Sequence, residues 1–151
     1  MAMDWHWARF EALGVDNLYD LLTLRSRVFV VEQHCVFLDM DGADRDSWHL
    51  LGRDASGTLQ AYLRMVDPGL KYAELSMGRV ITNLDTRATG LGRRLVDEAL
   101  RWVDAQHAGQ PVRIGAQAHL QRFYGGFGFQ PVGEPYIEDD IPHIEMLRPA
   151  P

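Results

Sequence analysis

The spacing of apolar residues alternates between two periods along the chain, and the order of these patterns predicts a mixed α/β domain. Helical spacing predicts helices from Asp16 to about Phe29, over residues 90–107 and near 119–126. Alternating or β-branched runs predict strands at residues 5–10, 48–53, 58–66, 74–82, 112–117, 129–136 and 143–147. This order indicates a mixed sheet with helices packed on its faces. Because no linker divides the chain, we expect residues 1–151 to form one domain.

The ends of the two longer helices are defined unequally by the sequence. Asp16 is a suitable N-cap for the first helix, but residues 28–31 are rich in valine and would suit a frayed or an extended backbone. The second helix ends before Gly109 and Pro111. Its apolar stripe, which should pack on the sheet, consists of Leu91, Leu95, Ala99, Trp102 and Val103.

The charge of the chain narrows the class of partner. Acidic residues outnumber Lys and Arg by 21 to 15, which gives a formal net charge of −6. Nucleic acid binding needs clustered Lys and Arg, so this composition argues against a nucleic acid partner. Acidic residues concentrate at 39–46 and 138–140, and such a surface favours a cationic small molecule. The same acidic stretches would also be found in two solvated loops that bind no substrate.

Signals of secretion and membrane insertion are lacking in this sequence. The first residues have neither a basic segment nor a long apolar run, and no apolar stretch approaches the ~20 residues that span a bilayer. Cys35 is the single cysteine, so an intramolecular disulfide is impossible and a reducing compartment is favoured. We therefore expect a cytoplasmic protein with no membrane partner.

The loop before the long helix has the features of an anion-binding site. A strand ends near Thr82, a polar loop follows, and Gly90 and Gly92 open the helix. The first turn of a helix carries unpaired N–H groups and the positive end of the helix dipole, and glycines leave these groups accessible to a phosphate. Arg87 and Arg93 add positive charge. We predict a diphosphate site, although glycines that only allow a close helix–strand contact would give the same pattern.

Two motifs follow one another in this part of the chain. The loop is not a P-loop, because no Lys-Ser/Thr pair follows the glycines, and its spacing is not G-x-G-x-x-G. Its pattern at 87–92 is Arg-x-x-Gly-x-Gly, and a Phe-Tyr-x-x-x-Gly-Phe pattern follows at 123–129. Together they resemble the coenzyme A loop and a second motif of the GNAT superfamily of N-acetyltransferases. Further stretches resemble the ElaA-like subgroup, at residues 28–33, 39–42, 49, 78–80, 115–120 and 141–144.

This resemblance implies a fold and a co-substrate. The fold would be the GNAT acyl-CoA N-acyltransferase fold, a mixed and mostly antiparallel sheet flanked by helices. The co-substrate would be acetyl-CoA, used without a metal. The residues that the resemblance places against coenzyme A are Val80, Ile81, Thr82, Arg87, Ala88, Thr89, Gly90, Leu91, Gly92, Arg93, Gln117 and Phe123. Gln117 departs from the asparagine that many members carry at this position.

Transfer of an acetyl group from a thioester to an amine sets three requirements. The amine must be neutral, the carbonyl oxygen must be stabilised, and the leaving thiolate benefits from protonation. The resemblance places Tyr124 beside the sulfur as the general acid, whereas a packing role alone is the alternative. Glu74 matches the offset of the carboxylate base in histone-acetylating members. Other members use a water chain, and His49, His119 and Glu32 are further candidates.

The acceptor is predicted from the segments that flank the thioester end of this fold. The residues singled out there are Glu32, Asp39, Asp41, His49, Arg64, Glu138, Asp139 and His143. A carboxylate would hold an ammonium group of the substrate, and Arg64 would pair with a carboxylate of it. We therefore predict N-acetylation of a primary amine on a small molecule or a peptide. Pairing of sheet edges would give a homodimer.

Three other hypotheses lead to different activities. A metal site lacks support, because the histidines and the cysteine show neither H-x-x-x-H nor C-x-x-C spacing. A cysteine nucleophile would use Cys35 with His34 or His49, although a free cysteine is usually inert. A non-catalytic module that binds acyl-CoA or a protein partner on the same fold would show binding without turnover.

Overall fold

The pattern of alternating residues produces a single seven-stranded sheet in the computed structural model, which describes residues 2–151. The strands are β1 (Asp4–Arg9), β2 (Ser47–Arg53), β3 (Leu59–Val66), β4 (Leu75–Thr82), β5 (Val112–Gln117), β6 (Gln130–Glu138) and β7 (Ile141–Arg148). Their order across the sheet is β1-β2-β3-β4-β5-β7-β6. Neighbouring strands are antiparallel except β4 and β5, which are parallel. The predicted mixed sheet is confirmed.

Three α-helices accompany the sheet, together with shorter turns. They are α1 (Val15–Arg25), α2 (Leu91–Gln106) and α3 (Gln121–Gly125). A π-helical segment, Ser26–Glu32, continues α1, so the chain at residues 28–31 is neither frayed nor extended as the sequence suggested. The N-cap of α1 is Gly14, with φ of 80°, and Asp16 lies inside the first turn; the predicted Asp16 cap is wrong. There the carboxylate still favours the positive end of the helix.

Helix α2 covers one face of the sheet, and α1 with the π-helical segment covers the other. On the α2 side, Leu95, Val96 and Ala99 are fully buried against the strands. Trp102 was predicted in the same stripe, but it lies at the edge of this core, where its ring stacks on Trp7 at 4.0 Å. Burial of these apolar side chains supplies the main driving force for the fold. Helix α2 is also the crossover that joins the two parallel strands.

A group of charged side chains, four of them buried, ties α1 to the sheet. We call it the charge network, and its members are Arg25, Asp39, Asp41, Asp44, Arg64 and Arg79. Arg25 in the last turn of α1 is fully buried and donates to Asp39 at 2.8 Å and to Asp44 at 2.6 Å. Arg64 of β3 donates to the same Asp44 at 3.0 Å. Buried charges are tolerated only when paired, so the network holds residues 39–44 against β3 and β4.

The pairing in this network sets the protonation of Asp44. Burial alone would raise the pKa of this carboxyl, but hydrogen bonds and the charges of Arg25 and Arg64 hold the pKa below its ordinary value. The unfolded chain therefore binds a proton at higher pH than the folded chain does. The stabilisation from Asp44 is present above the unfolded pKa of ~3.9 and is lost as pH falls through the lower folded value.

We predict that Asp44→Ala lowers the free energy of unfolding by about 3–5 kcal/mol, because it leaves two buried guanidinium groups with one carboxylate fewer. Urea denaturation at neutral pH measures the change. Asp97→Ala, at an exposed position of α2, is the matched control and should change stability by less than about 0.5 kcal/mol. Equal stability of the two variants would contradict a structural role for the network.

Candidate active site

A cleft opens where β4 and β5 part. The two strands are paired only at Leu75–Val112 and Ser76–Arg113. Beyond these pairs they diverge, and a cavity of about 490 Å³ lies between residues 76–82 of β4 and 114–117 of β5. On the side that faces β5, the backbone of the second half of β4 therefore has no strand partner. Such groups require partners, which a polar ligand chain or water supplies.

A β-bulge shapes the wall of this cleft. Tyr62 of β3 pairs with Ile81 and Arg64 pairs with Gly78, so Arg79 and Val80 together face a single residue of β3. Arg79 has φ of 49°, in the left-handed region. The bulge interrupts the alternation of β4 and turns its backbone groups toward the cleft. The sequence-based strand at 74–82 contained no bulge, although a glycine inside a strand, here Gly78, often marks one.

The glycine loop at the start of α2 is open as an anion site requires. Gly90 is the N-cap, and its φ of 82° is a conformation that side chains with a Cβ rarely adopt. A Cβ on Gly92 would contact Phe123 and Thr82 only at 4.0 Å, an ordinary distance. Packing within the protein therefore does not require glycine at 92. This result favours a ligand that approaches the helix N-terminus over a close helix–strand contact.

Three side chains near this loop that were predicted to contact coenzyme A already contact other groups of the protein. They are those of Arg87, Thr89 and Arg93. Arg87 forms an ion pair with Glu32, with one Nη2–Oε2 distance of 3.0 Å and a second, short contact from Nη1. Both side chains are about one-third exposed, and such pairs contribute only about 0–1 kcal/mol, so a phosphate can displace the carboxylate. The Arg93 guanidinium lies 5.5 Å from the centre of the Phe127 ring. The loop between them is fixed by Thr89, which donates to the Thr86 carbonyl.

Tyr124 is a buried residue in the lining of the cleft. It belongs to α3, is only 6% exposed, and packs edge-to-face against Phe123 and Phe129 at 5.1 and 5.9 Å. Burial raises the pKa of its hydroxyl well above the ordinary value, so the group remains a proton donor at all physiological pH values. Gln117, at the end of β5, also lines the cleft. Phe123 lies outside this lining, and its ring packs against that of Tyr124.

The family is identified by comparison with known proteins. Residues 49–148 match the acetyltransferase (GNAT) domain. The chain belongs to the GNAT acetyltransferase family. It is 43% identical to an acyl-CoA N-acyltransferase of Pseudomonas aeruginosa, with a TM-score of 0.92 over 97% of this chain and 99% of that one. For Escherichia coli ElaA the identity is 41% and the TM-score 0.90, over 97% and 99% of the two chains. A UPF0039 protein of Synechocystis is 42% identical over 100% of this chain and 98% of its own length.

These relatives confirm the predicted resemblance to the GNAT superfamily and to its ElaA-like subgroup. They also confirm the predicted fold class. Membership in a family of acyltransferases supports N-acyltransferase chemistry for this chain. Within residues 2–151, no helix is both long and apolar enough to cross a bilayer, and no cluster of three or more His, Cys, Asp or Glu side chains is arranged to hold a metal ion.

Five of the eight acceptor residues predicted for this GNAT protein line the cleft, and three do not. The five that line it are Glu32, Arg64, Glu138, Asp139 and His143. Asp41 lies outside the lining and accepts from Arg64 within the charge network. Asp39 is 3% exposed and accepts from Arg25 and Arg79 within the charge network. His49 is fully buried, with Nδ1 2.6 Å from the Tyr62 hydroxyl and Nε2 2.9 Å from the Asp44 carbonyl. Burial lowers the pKa of His49, and the ring is a structural group instead of an acceptor contact.

Glu74 is also placed differently from the prediction. It precedes β4 and lies outside the lining of the cleft, where Arg113 donates to both its carboxylate oxygens at 3.0 Å. These hydrogen bonds lower the pKa of Glu74, which makes it a weaker base. The sequence offset alone made this position suitable for a general base. The ion pair with Arg113 of the neighbouring strand β5 could not be predicted from the sequence. The structure therefore does not bring Glu74 together with Tyr124.

Sequence reasoning missed two tyrosines in the lining of the cleft, Tyr72 and Tyr136. Both hydroxyls lie over Gly115 of β5, where a Cβ would come within 2.7 Å of the Tyr136 oxygen and 3.2 Å of the Tyr72 oxygen. Because Gly115 has no side chain, it leaves room for these two hydroxyl groups. Its position within a strand was the available signal.

We predict that Gly115→Ala destabilises the protein by about 1–3 kcal/mol, because the new methyl group would overlap the Tyr136 hydroxyl. Urea denaturation measures the change. Adding Tyr136→Phe in the same chain should recover part of the loss, since it removes the oxygen that is approached most closely. Gly125→Ala is the control, because a Cβ there would meet nothing within 4 Å. An unchanged stability of Gly115→Ala would contradict this packing.

Proposed function

We propose that this protein is an acetyl-CoA-dependent N-acetyltransferase that transfers the acetyl group to a primary amine of a small molecule or peptide. The observation that carries the proposal is the buried Tyr124, which lines the same cleft as the unpaired edge of β4. The coenzyme would lie with its pyrophosphate at the glycine loop of α2. Its pantetheine arm would follow the diverging strands. This arrangement leads the thioester toward Tyr124.

Each part of the site has a role in direct transfer. The pantetheine amides would hydrogen-bond to the backbone of residues 80–82, in place of the missing strand partner. The neutral amine would attack the thioester carbonyl carbon, and a backbone N–H of the bulged strand would stabilise the developing oxyanion. The new C–N bond forms as the C–S bond breaks, and the Tyr124 hydroxyl gives its proton to the leaving thiolate. The raised pKa of Tyr124 keeps its hydroxyl protonated before the transfer and favours its later reprotonation.

The proton lost by the attacking amine needs a separate acceptor. Glu74 lies outside the cleft, and His49 is fully buried in hydrogen bonds, so neither serves this role. His119 and Glu32 line the cleft, and water entering with the amine is the third acceptor. The ammonium group of the substrate would lose one proton on entry to whichever of these is nearest. After the attack the nitrogen would lose a second proton, which balances the proton that Tyr124 gives to the thiolate and restores the phenol.

Binding of the co-substrate is tested by calorimetry with acetyl-CoA. We expect micromolar binding by the wild type and a loss of at least about 100-fold in Gly90→Glu, because a carboxylate would face the pyrophosphate. Gly57→Glu is the matched control: Gly57 has a φ of 85°, close to the 82° of Gly90, and lies in an exposed turn. The same charge change and the same backbone strain should leave binding intact there. No binding of acetyl-CoA or of longer acyl-CoAs by the wild type would overturn the proposal.

The general acid is tested by Tyr124→Phe. We expect kcat for release of free coenzyme A thiol to fall by ~10²-fold, while the affinity for acetyl-CoA is retained. Tyr19→Phe, at a position that is 74% exposed on α1, should leave kcat unchanged. An unaltered kcat of Tyr124→Phe at every pH tested would exclude the role. Tight binding of acetyl-CoA with no turnover across a panel of amines would instead indicate a non-catalytic acyl-CoA-binding module.

A further inference from the structure

The cleft contains the only lysine of the chain. Lys71 lies in the loop between β3 and β4, and its side chain is 41% exposed and lines the cleft together with Tyr124. Every other basic side chain apart from histidine is an arginine. The chain therefore has a single lysine ammonium group, and this group lies at the candidate acceptor site. The function described so far assigns nothing to it.

The nearest carboxylate to Lys71 is already engaged. Asp41 accepts a hydrogen bond from Arg64 Nη1 at 2.8 Å and another from the backbone N–H of Ala43 at 3.0 Å. Arg79 approaches the same carboxylate at 3.5 Å. Lys71 Nζ is left at 3.7 Å from Asp41, too far for a good hydrogen bond. Its ammonium group is therefore available to an additional acceptor.

Lys71 lies among other charged groups. Burial lowers the pKa of Lys71, the charges of Arg64 and Arg79 lower it further, and the charges of Asp41 and Glu138 offset this in part. A carboxylate beside the ammonium group would favour its charged form. Arg64 was the predicted partner for a substrate carboxylate, but it is 1% exposed and committed to Asp41 and Asp44. Lys71 is the accessible cation at this position.

Acidic side chains also line the cleft that contains Lys71. Glu138 ends β6, and its carboxylate lies 3.7 Å from His143 Nε2 with a side chain that is 59% exposed. Asp139 follows it in the turn to β7, and its carbonyl meets the Cys35 thiol at 3.6 Å. This contact joins the turn to the segment after the π-helix. The lining of the cleft therefore combines a cation at Lys71 with the acidic side chains of Glu138 and Asp139.

We propose that Lys71 binds a carboxylate of the acceptor, so that the substrate class is an amine that also carries a carboxylate group. This inference rests on the proposed function. A monoanion suits a subsite that presents one accessible ammonium, and the Tyr72 and Tyr136 hydroxyls, which line the same region, are further hydrogen-bond donors to it. The amino end of such a molecule would point toward Tyr124 and the thioester. The acceptor is then zwitterionic, and not the purely cationic molecule that the acidic sequence stretches suggested.

Matched acceptors test the subsite. Hexylamine and 6-aminohexanoate differ by one carboxylate, as cadaverine and lysine do, and free-thiol release gives kcat/KM for each. We expect the carboxylated member of each pair to be preferred by the wild type. In Lys71→Met the preference should fall by about 10- to 100-fold, the range for a charge-assisted hydrogen bond. Lys71→Arg should keep most of it.

Arg101→Met is the control for net charge, because Arg101 is 75% exposed on α2 and pairs only with Glu98 on the same helix. It should leave the preference unchanged. An equal loss of kcat/KM for both members of a pair in Lys71→Met would show that Lys71 acts in the chemistry, and would overturn the subsite. A wild type that acetylates hexylamine as well as 6-aminohexanoate would overturn it too, and would leave the proposed function intact. Release of no thiol with any amine would overturn the proposed function instead.

A second measurement needs no turnover. Because Lys71 is the only lysine, its acylation by N-hydroxysuccinimidyl acetate is read directly from the mass of one peptide. The product analogue 6-acetamidohexanoate should slow this acylation, whereas N-hexylacetamide, which lacks the carboxylate, should not. Equal protection by both compounds, or by neither, would contradict a carboxylate subsite. Incorporation of an acetyl group at Lys71 from acetyl-CoA alone would also contradict it, because Lys71 would then be an acceptor and not a binding group.

Discussion

The parallel strands β4 and β5 share only two residue pairs, and the position of the candidate site follows from this limit. A parallel neighbour requires a crossover, so the helix that joins these strands, α2, must begin at the open end of the gap. Its N-terminal amides therefore lie beside the backbone groups of β4 that lack a partner. One feature of strand pairing thus brings an anion site and a hydrogen-bonding edge together.

The charge network keeps the wall of this gap in place. Arg79 holds a left-handed backbone conformation at the bulge, and its guanidinium is fixed by Asp39 at 2.9 Å and by the ring of Phe29 at 5.9 Å. A non-glycine residue persists in that conformation only when its surroundings determine it. Burial of ion pairs is costly, and a hydrophobic cluster of similar volume would stabilise the fold about equally. What the network adds is a defined geometry at the bulge and a carboxylate, Asp41, that positions Arg64 and Arg79 in the lining of the cleft.

The sequence was sufficient to predict the sheet, the long helix and the glycine loop before it, because periodicity and turn residues are local signals. Strand ends lay within two residues of their predicted positions. The bulge was missed because residues 79–80 continue an unbroken strand-like pattern, and its cause is the pairing with β3. Glu74, Asp39 and His49 were assigned to the site from their place in the chain. Their partners Arg113, Arg25 and Tyr62 come from other elements, and only the folded structure shows that these pairs form.

The sheet can be viewed as two halves that meet at the gap. Strands β1 to β4 follow one another in both sequence and space, and β5, β7 and β6 form the second half. Local pairing lets each half form early, whereas their junction has only two backbone pairs to close it. A ligand chain lying in the gap would supply the cross-links that the strands lack. The bound molecule would then act as an eighth strand between the halves, and its affinity would appear as an increase in the free energy of unfolding.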